Sequence, residues 1–132
     1  LEVYNNGDMM RDFTYIDDVI KSLIKLIDKP ATSDKNFDQM NPNPSTSWCP
    51  HRVFNIGNSK PINLMEYIIN IEEVLGIKAI KNFMPMQPGD VPATSADTSE
   101  LRKWVGFQPQ TPVIAGVQKF ADWYLAYYKN ND

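Results

Sequence analysis

The sequence is poor in the residues that build metal sites and disulfides. The 132-residue chain contains one cysteine, Cys49, and one histidine, His51. One cysteine excludes an intrachain disulfide and a zinc site made of several cysteines. One histidine excludes a histidine-rich metal site and a second catalytic imidazole. We therefore predict that the chain binds no metal.

Positive charge and long apolar runs are also scarce. Lysine and arginine number 13 against 16 acidic residues, which gives a formal charge of −3 and a pI near 5.1. The chain therefore lacks the basic surface of a nucleic-acid-binding protein. No apolar run approaches the roughly 18 residues that cross a bilayer, and the start has no signal-peptide pattern. We predict a cytoplasmic protein without nucleic-acid or membrane partners.

Glycines are few and far apart. They occupy positions 7, 57, 76, 89, 106 and 116, so no two are closer than ten residues. This spacing excludes both the G-x-G-x-x-G fingerprint and the P-loop. No tyrosine has a lysine four positions later, and nothing resembles a nucleophile elbow. The chain therefore carries none of these cofactor-binding or catalytic motifs.

Four segments show helical periodicity. The first begins near Ile16, stops at Pro30 and carries an apolar face opposite a charged face that includes Asp18. Thr14 and Asp17 predict a variant capping box at its start. The second helix is predicted over residues 63–75, with Asn63 and Glu66 as its capping box and Gly76 after its end. The third is predicted from Asp97 to Gly106, and the fourth has Thr111 as N-cap and Pro112 at its first position.

Three strands are predicted between these helices, at Leu1–Asn5, Arg52–Ile56 and Ile77–Phe83. The resulting order, β–α–β–α–β–α–α, indicates α/β packing. Residues 30–50 form a proline-rich insertion without periodicity, for which a flexible loop is the simplest interpretation. Phe37 and Trp48 within it favour partial docking on the surface.

Three polar segments are candidates for a binding site, each with a plainer alternative. Arg11 precedes a helix and could bind a phosphate group. Alternatively, it could form an ion pair with Asp12, Asp17 or Asp18. The carboxylates of Asp17 and Asp18 are explained by helix capping alone. Residues 84–97 form a proline-stiffened loop that presents polar side chains or only makes a turn. Residues 54–59 follow a strand, where ligands bind in α/β sheets, or they merely connect two elements.

Taken in order, these segments resemble a known family. "GDMMRDFTYIDDVI", "VFNIGNSKPINLMEYI" and "NFMPMQPGDVPATSAD" are similar to the C-terminal half of extended short-chain dehydrogenases/reductases, specifically the NAD-dependent nucleotide-sugar epimerases. The insertion "NPNPSTSW" resembles the UDP-glucuronate 4-epimerase subgroup. The similarity covers nearly the whole chain. It implies that residues 1–132 are the C-terminal substrate-binding part, with short strands and about four helices, and that a Rossmann domain lies outside the chain. The strand-like start without an initiator Met agrees with a fragment.

The resemblance assigns roles to individual residues. Arg11 matches the arginine that binds the UDP diphosphate, and Asp90 matches the acidic residue that contacts the UDP moiety. Gln87 and Thr94 stand where galactose-type epimerases place a second arginine and a tyrosine. Asn58 and Ser59 fall at the nucleotide-facing turn. The six predicted substrate-binding residues are thus Arg11, Asn58, Ser59, Gln87, Asp90 and Thr94.

The family also implies an activity for a longer parent protein. Its N-terminal domain would bind NAD and supply the catalytic Tyr-x-x-x-Lys pair, so this chain alone would be inactive. The parent would be a homodimer that interconverts UDP-glucuronate and UDP-galacturonate through a 4-keto intermediate, for cell-surface polysaccharide synthesis. A related nucleotide-sugar dehydratase or decarboxylase, and a stand-alone nucleotide-sugar-binding module, remain alternatives.

Overall fold

A computed structural model describes residues 1–129 of the chain. Over these residues it contains four α-helices, four two-residue strands and a short 3-10 helix at Tyr4–Gly7. The elements are β1 (Glu2–Val3), β2 (Met10–Arg11), α1 (Ile16–Ile27), β3 (Ile62–Asn63), α2 (Leu64–Leu75), β4 (Asn82–Phe83), α3 (Ser99–Val105) and α4 (Val113–Lys129). Helices and short strands therefore occur as the α/β prediction requires.

Strand β2 lies between two neighbours. It pairs antiparallel with β3, with Met10 opposite Asn63, and Met10 also forms a parallel bridge with Ala93. The Met10 amide donates to the Pro92 carbonyl at 2.8 Å, and the Thr94 amide donates to the Met10 carbonyl at 3.1 Å. A second small sheet pairs β1 with β4 in parallel. The loop before α3 is thus fixed against β2.

The core forms where α2 packs against α4. Ile68 of α2 and Val117 and Ala121 of α4 are buried, as is Leu101 of α3. Such burial of apolar side chains is the main stabilising contribution in a domain of this size. Next to this core, the rings of Phe13 and Tyr67 stack at 3.9 Å and attach the segment after β2 to α2.

Local sequence signals correctly predict both ends of α2 and the C-terminal end of α3, whereas α3 begins at Ser99, two residues after the predicted Asp97, without a side-chain cap. The Asn63 side chain accepts a hydrogen bond from the Met65 amide at 2.8 Å, as expected of an N-cap. Both helices end at a left-handed glycine, Gly76 with φ 67° and Gly106 with φ 66°.

The capping prediction for α1 is wrong. Helix α1 follows Tyr15 without a side-chain cap, and the Thr14 hydroxyl accepts a hydrogen bond from the Asn58 amide at 3.2 Å instead. Asp18 is 4% exposed, and its Oδ2 accepts hydrogen bonds from the Gln110 and Thr111 amides at 3.0 and 2.8 Å. Both side chains therefore serve distant loops, because those loops present unpaired backbone amides to them.

Helix α1 turns its apolar face outward. Asp18 and Ser22 are its buried residues, whereas five of its large aliphatic side chains are 43–77% exposed. These exposed residues are Ile16, Ile20, Leu23, Ile24 and Ile27. The predicted charged face thus contacts the rest of residues 1–129 at Asp18, and the predicted apolar face does not pack into their core.

The strand predictions are only partly confirmed. Residues 52–56 form no strand in the described part of the chain, because their pairing there is limited to one bridge between Arg52 and Thr46. The predicted strand over 77–83 is ordered as a strand only at its last two residues. In the 30–50 insertion Phe37 is half-buried, but Trp48 is 67% exposed, which contradicts the docking expected for it.

Candidate functional site

Arg11 and Asp90 form the centre of the candidate site. Arg11 Nη2 lies 2.8 Å from Asp90 Oδ1, although 79 positions separate the two residues in the sequence. Arg11 Nη1 also donates to the carbonyls of Met10 at 2.9 Å and Pro92 at 3.3 Å. The two side chains are 21% and 33% exposed, so solvent and a ligand can reach both. The local alternatives for Arg11, ion pairs with Asp12, Asp17 or Asp18, are not observed.

The loop carrying Asp90 is built from a turn and an anchor. The Asp90 amide donates to the Gln87 carbonyl at 3.2 Å, and Gly89 between them has a φ of 86°, which glycine adopts without strain. Asp90 Oδ1 also accepts a hydrogen bond from the Val91 amide. Thr94 follows on the segment bonded to β2 and is exposed. Gln87, Asp90 and Thr94 are thus carried by one continuous stretch beside Arg11.

Gln87 interacts with Tyr4, the first residue of the 3-10 helix. A hydrogen bond from the Tyr4 hydroxyl to Glu2 Oε2, at 2.6 Å, raises the pKa of Tyr4, while a hydrogen bond involving Gln87 opposes that rise. The polar surface near Arg11 therefore extends to residues that the sequence did not single out. Tyr4 could not be selected from sequence because it stands in an ordinary strand pattern.

Asn58 and Ser59 occupy a different position from the pair. Asn58 is 4% exposed, and its amide group donates to the Thr111 carbonyl at 3.3 Å. Ser59 Oγ lies 2.8 Å from both the Ala96 carbonyl and the Thr98 hydroxyl. The side chains of Asn58 and Ser59 therefore make contacts between loops, whereas those of Arg11 and Asp90 are more accessible to solvent.

Asp12 connects these two groups, and the sequence did not predict this. Its Oδ2 accepts hydrogen bonds from the Ser59 and Ala96 amides, each at 3.0 Å, and its Oδ1 accepts one from the Lys60 amide at 3.4 Å. Adjacent residues of an extended strand point to opposite sides, so Arg11 and Asp12 are expected to serve different surfaces. This alternation could have predicted separate roles for the two residues, but the interpretation of Arg11 and Asp12 as a local ion pair did not allow for it.

An apolar groove lies elsewhere. It has a volume of about 550 Å³ and is bordered by residues 13–16, α2 and residues 111–124. None of the six predicted substrate-binding residues lines it. Arg11 and Asp90 instead form a partly exposed charged pair, which suits a charged ligand better than an apolar one.

Two negative findings apply to residues 1–129. No group of three or more histidine, cysteine, aspartate or glutamate side chains is arranged to hold a metal ion. Over the same residues, no helix combines the length and apolar character needed to cross a membrane.

Known proteins are similar to nearly the whole chain. The protein CapI of Staphylococcus aureus is 48% identical over 129 residues, which are 98% of this chain and 39% of CapI. A probable UDP-glucuronate 4-epimerase of Rhizobium meliloti is 37% identical over 130 residues, covering 98% of this chain and 38% of that protein. The chain thus spans less than two fifths of the length of these relatives. No protein-family profile matches it.

Solved structures agree with this relationship. A UDP-glucuronic acid 4-epimerase variant from Bacillus cereus, in complex with NAD and a fluorinated UDP-glucuronic acid, superposes with a TM-score of 0.74 at 26% identity. The match covers 97% of this chain and 36% of that one. A UDP-glucose 4-epimerase from Thermotoga maritima reaches 0.75 at 19% identity, which supports the fold alone. The chain belongs to the extended short-chain dehydrogenase/reductase family and corresponds to the C-terminal part of its nucleotide-sugar epimerases.

Proposed function

We propose that this chain is the substrate-binding part of a UDP-sugar 4-epimerase. Its substrates would be UDP-glucuronate and UDP-galacturonate, which the whole enzyme interconverts through an NAD-dependent 4-keto intermediate. The similarity to UDP-glucuronate 4-epimerases supports this substrate class. The similarity to CapI supports a role in making precursors for cell-surface polysaccharides. The enzyme would act as a cytoplasmic homodimer.

The meeting of Arg11 and Asp90 is the observation that carries this proposal. A guanidinium presents planar N–H donors that match phosphate oxygens, and a carboxylate accepts hydrogen bonds from sugar hydroxyls. A nucleoside diphosphate places its phosphates next to its ribose. The 2.8 Å contact between the two side chains puts a donor and an acceptor side by side, which supports the binding of such a ligand. In our proposal Arg11 binds the diphosphate and Asp90 the ribose.

The other predicted residues surround this pair. Gln87 and Thr94 lie on the Asp90 segment, and we propose that they contact the UDP moiety from its two ends. Asn58 and Ser59 have their side chains engaged with the Thr111 and Ala96 carbonyls. We therefore propose that these two support the site through the loop that they hold.

NAD and the catalytic groups would come from the remaining length of the parent protein. The chain has neither the glycine fingerprint nor a Tyr-x-x-x-Lys pair. We therefore expect the 132-residue chain alone to show no epimerase activity with UDP-glucuronate and NAD. Conversion to UDP-galacturonate above the level of a protein-free control, measured by chromatography, would contradict that expectation.

The substrate proposal is tested by replacing Arg11 in the longer protein that carries this chain. Arg11→Ala should weaken UDP binding by about 1.5–3 kcal/mol, the range for a hydrogen bond to a charged group. Binding of uridine, which has no phosphates, should change much less. Calorimetric titration of both ligands measures the two effects. Arg102→Ala is the matched control, since it removes the same charge from α3.

Asp90→Asn separates a ligand role from a loop-holding role. It removes the ion pair but leaves the Arg11 charge, so it should weaken uridine and UDP binding by similar factors. If Arg11→Ala and Arg102→Ala bind UDP equally well, Arg11 serves only the loop and the proposed site is wrong.

A further inference from the structure

The carboxylate of Asp12 joins three separate parts of the chain. Asp12 follows β2 directly, and its three hydrogen bonds reach the loop at 59–60 and the segment at Ala96. A carboxylate that accepts several backbone N–H groups forms charge-assisted bonds, which are stronger than neutral ones. One side chain therefore bonds both loops to the residue that follows β2.

The packing between Asp12, Gly57 and Ala96 is tight, although Asp12 is only half-buried. A Cβ placed on Gly57 would lie 2.5 Å from the Ala96 Cβ and 3.1 Å from Asp12 Oδ2. Ser59 has a φ of 57°, which is unusual for a residue other than glycine. Its amide bonds to Asp12 and its hydroxyl bonds to the Ala96 carbonyl, and both bonds hold it in that conformation. The junction is thus tight as well as hydrogen-bonded.

The same segment that bonds to Asp12 carries the candidate site. Between residues 90 and 96 it is attached to residues 10–12 at four points: the Asp90 side chain, the Pro92 carbonyl, the Thr94 amide and the Ala96 amide. Only the last attachment also holds the loop at 57–60. A shift at Ala96 would be passed along the short stretch to Thr94 and Asp90.

We propose that Asp12 is a positioning residue for the nucleotide site, because its carboxylate sets where the segment with Asp90 and Thr94 lies relative to Arg11. This inference rests on the proposed function. Asp12 itself is turned toward the loops, so it acts through them and not on the ligand.

The test uses the longer protein with Asp12→Asn, which removes the charge and keeps the shape. We expect UDP affinity to fall about tenfold, which corresponds to the loss of roughly one charged hydrogen bond. In the same background Arg11→Ala should cost clearly less UDP affinity than it does in the wild type, because the pair is already misplaced. Gly57→Ala perturbs the junction from the opposite side and should reproduce both effects.

A second measurement uses the 132-residue chain. Hydrogen exchange of the Ser59 and Ala96 amides should accelerate in Asp12→Asn and remain unchanged in Asp17→Asn, whose carboxylate is exposed. If Asp12→Asn lowers stability but leaves UDP affinity intact, or if its effect adds fully to that of Arg11→Ala, the positioning role is refuted. If Arg11→Ala alone leaves UDP affinity unchanged, the proposed function fails instead.

Discussion

Replacing Asp18 by alanine should destabilise the chain strongly. The carboxylate is 4% exposed and accepts hydrogen bonds from the Gln110 and Thr111 amides at the start of α4. Each bond to a charged group contributes about 1.5 kcal/mol at the low end of the usual range. Loss of both leaves two amides without partners, so we expect Asp18→Ala to lower the free energy of unfolding by about 3 kcal/mol. For a chain of this length the melting temperature should fall by about 10 °C.

The neighbouring carboxylate supplies a matched control. Asp17 lies in the same first turn of α1 but is exposed, so Asp17→Ala should change the free energy of unfolding by less than about 0.5 kcal/mol. Urea unfolding of the 132-residue chain, followed by circular dichroism, measures both variants. Both amides bond to Oδ2, so Asp18→Asn can keep an acceptor there and removes only the charge, and it should lose about half as much stability. Equal effects of Asp17→Ala and Asp18→Ala would refute the link between α1 and α4.

The pH dependence of the same interaction has a definite sign. Burial alone would raise the pKa of Asp18, but the hydrogen bonds from Thr111 and Gln110 and the charge of Lys21 outweigh it, so the pKa is lowered from 3.8. A lowered folded-state pKa means that the stabilisation is complete above the unfolded-state pKa and lost below it. Stability should therefore fall as pH decreases below about 3.8, and Asp18→Asn should remove that part of the dependence.

Three further predictions concern other contacts. Glu72 bonds to Lys81, the Ala79 amide and Lys78, and these bonds lower its pKa to about 2. The free energy of unfolding should therefore decrease less between pH 4.5 and pH 2 in Glu72→Gln than in the control Glu73→Gln. Gly76→Ala should cost about 1 kcal/mol in urea unfolding, because its φ of 67° disfavours a side chain although no atom lies near the added Cβ. Gly7→Ala should cost more in the same assay, since its Cβ would lie 2.7 Å from the Met65 side chain, and equal costs would contradict that packing.

Features set by neighbouring residues could be predicted from sequence. Both ends of α2 and the C-terminal end of α3 were predicted because Asn63, Gly76 and Gly106 act within one turn of the helix they delimit. The roles of Thr14 and Asp18 were not predicted, because their partners lie 44 and more than 90 positions away. Sequence patterns next to a helix favour local capping, and here the distant amides compete successfully for these side chains.

In the candidate site, too, single residues could be predicted from sequence but contacts between distant residues could not. Resemblance to a family identified Arg11 and Asp90 individually, but only the structure shows their contact across 79 positions. The strand predicted at 52–56 needs a neighbour that residues 1–129 do not supply, so its composition alone could not form it. The outward apolar face of α1 has a similar origin, since periodicity identifies a face but not which side the rest of the chain covers.

Because Arg11 and Asp12 are adjacent and oppositely charged, a shift in the pairing of β2 with β3 would be unfavourable. Successive residues of a strand alternate between its two sides, so a slip of one residue against Ile62 and Asn63 would exchange their surroundings. The guanidinium would then meet the Ser59 and Ala96 amides, donor against donor, and the carboxylate would face Asp90. Both of these contacts in the shifted pairing would be electrostatically repulsive. Two adjacent residues of opposite charge therefore disfavour a one-residue shift of β2, a strand only two residues long.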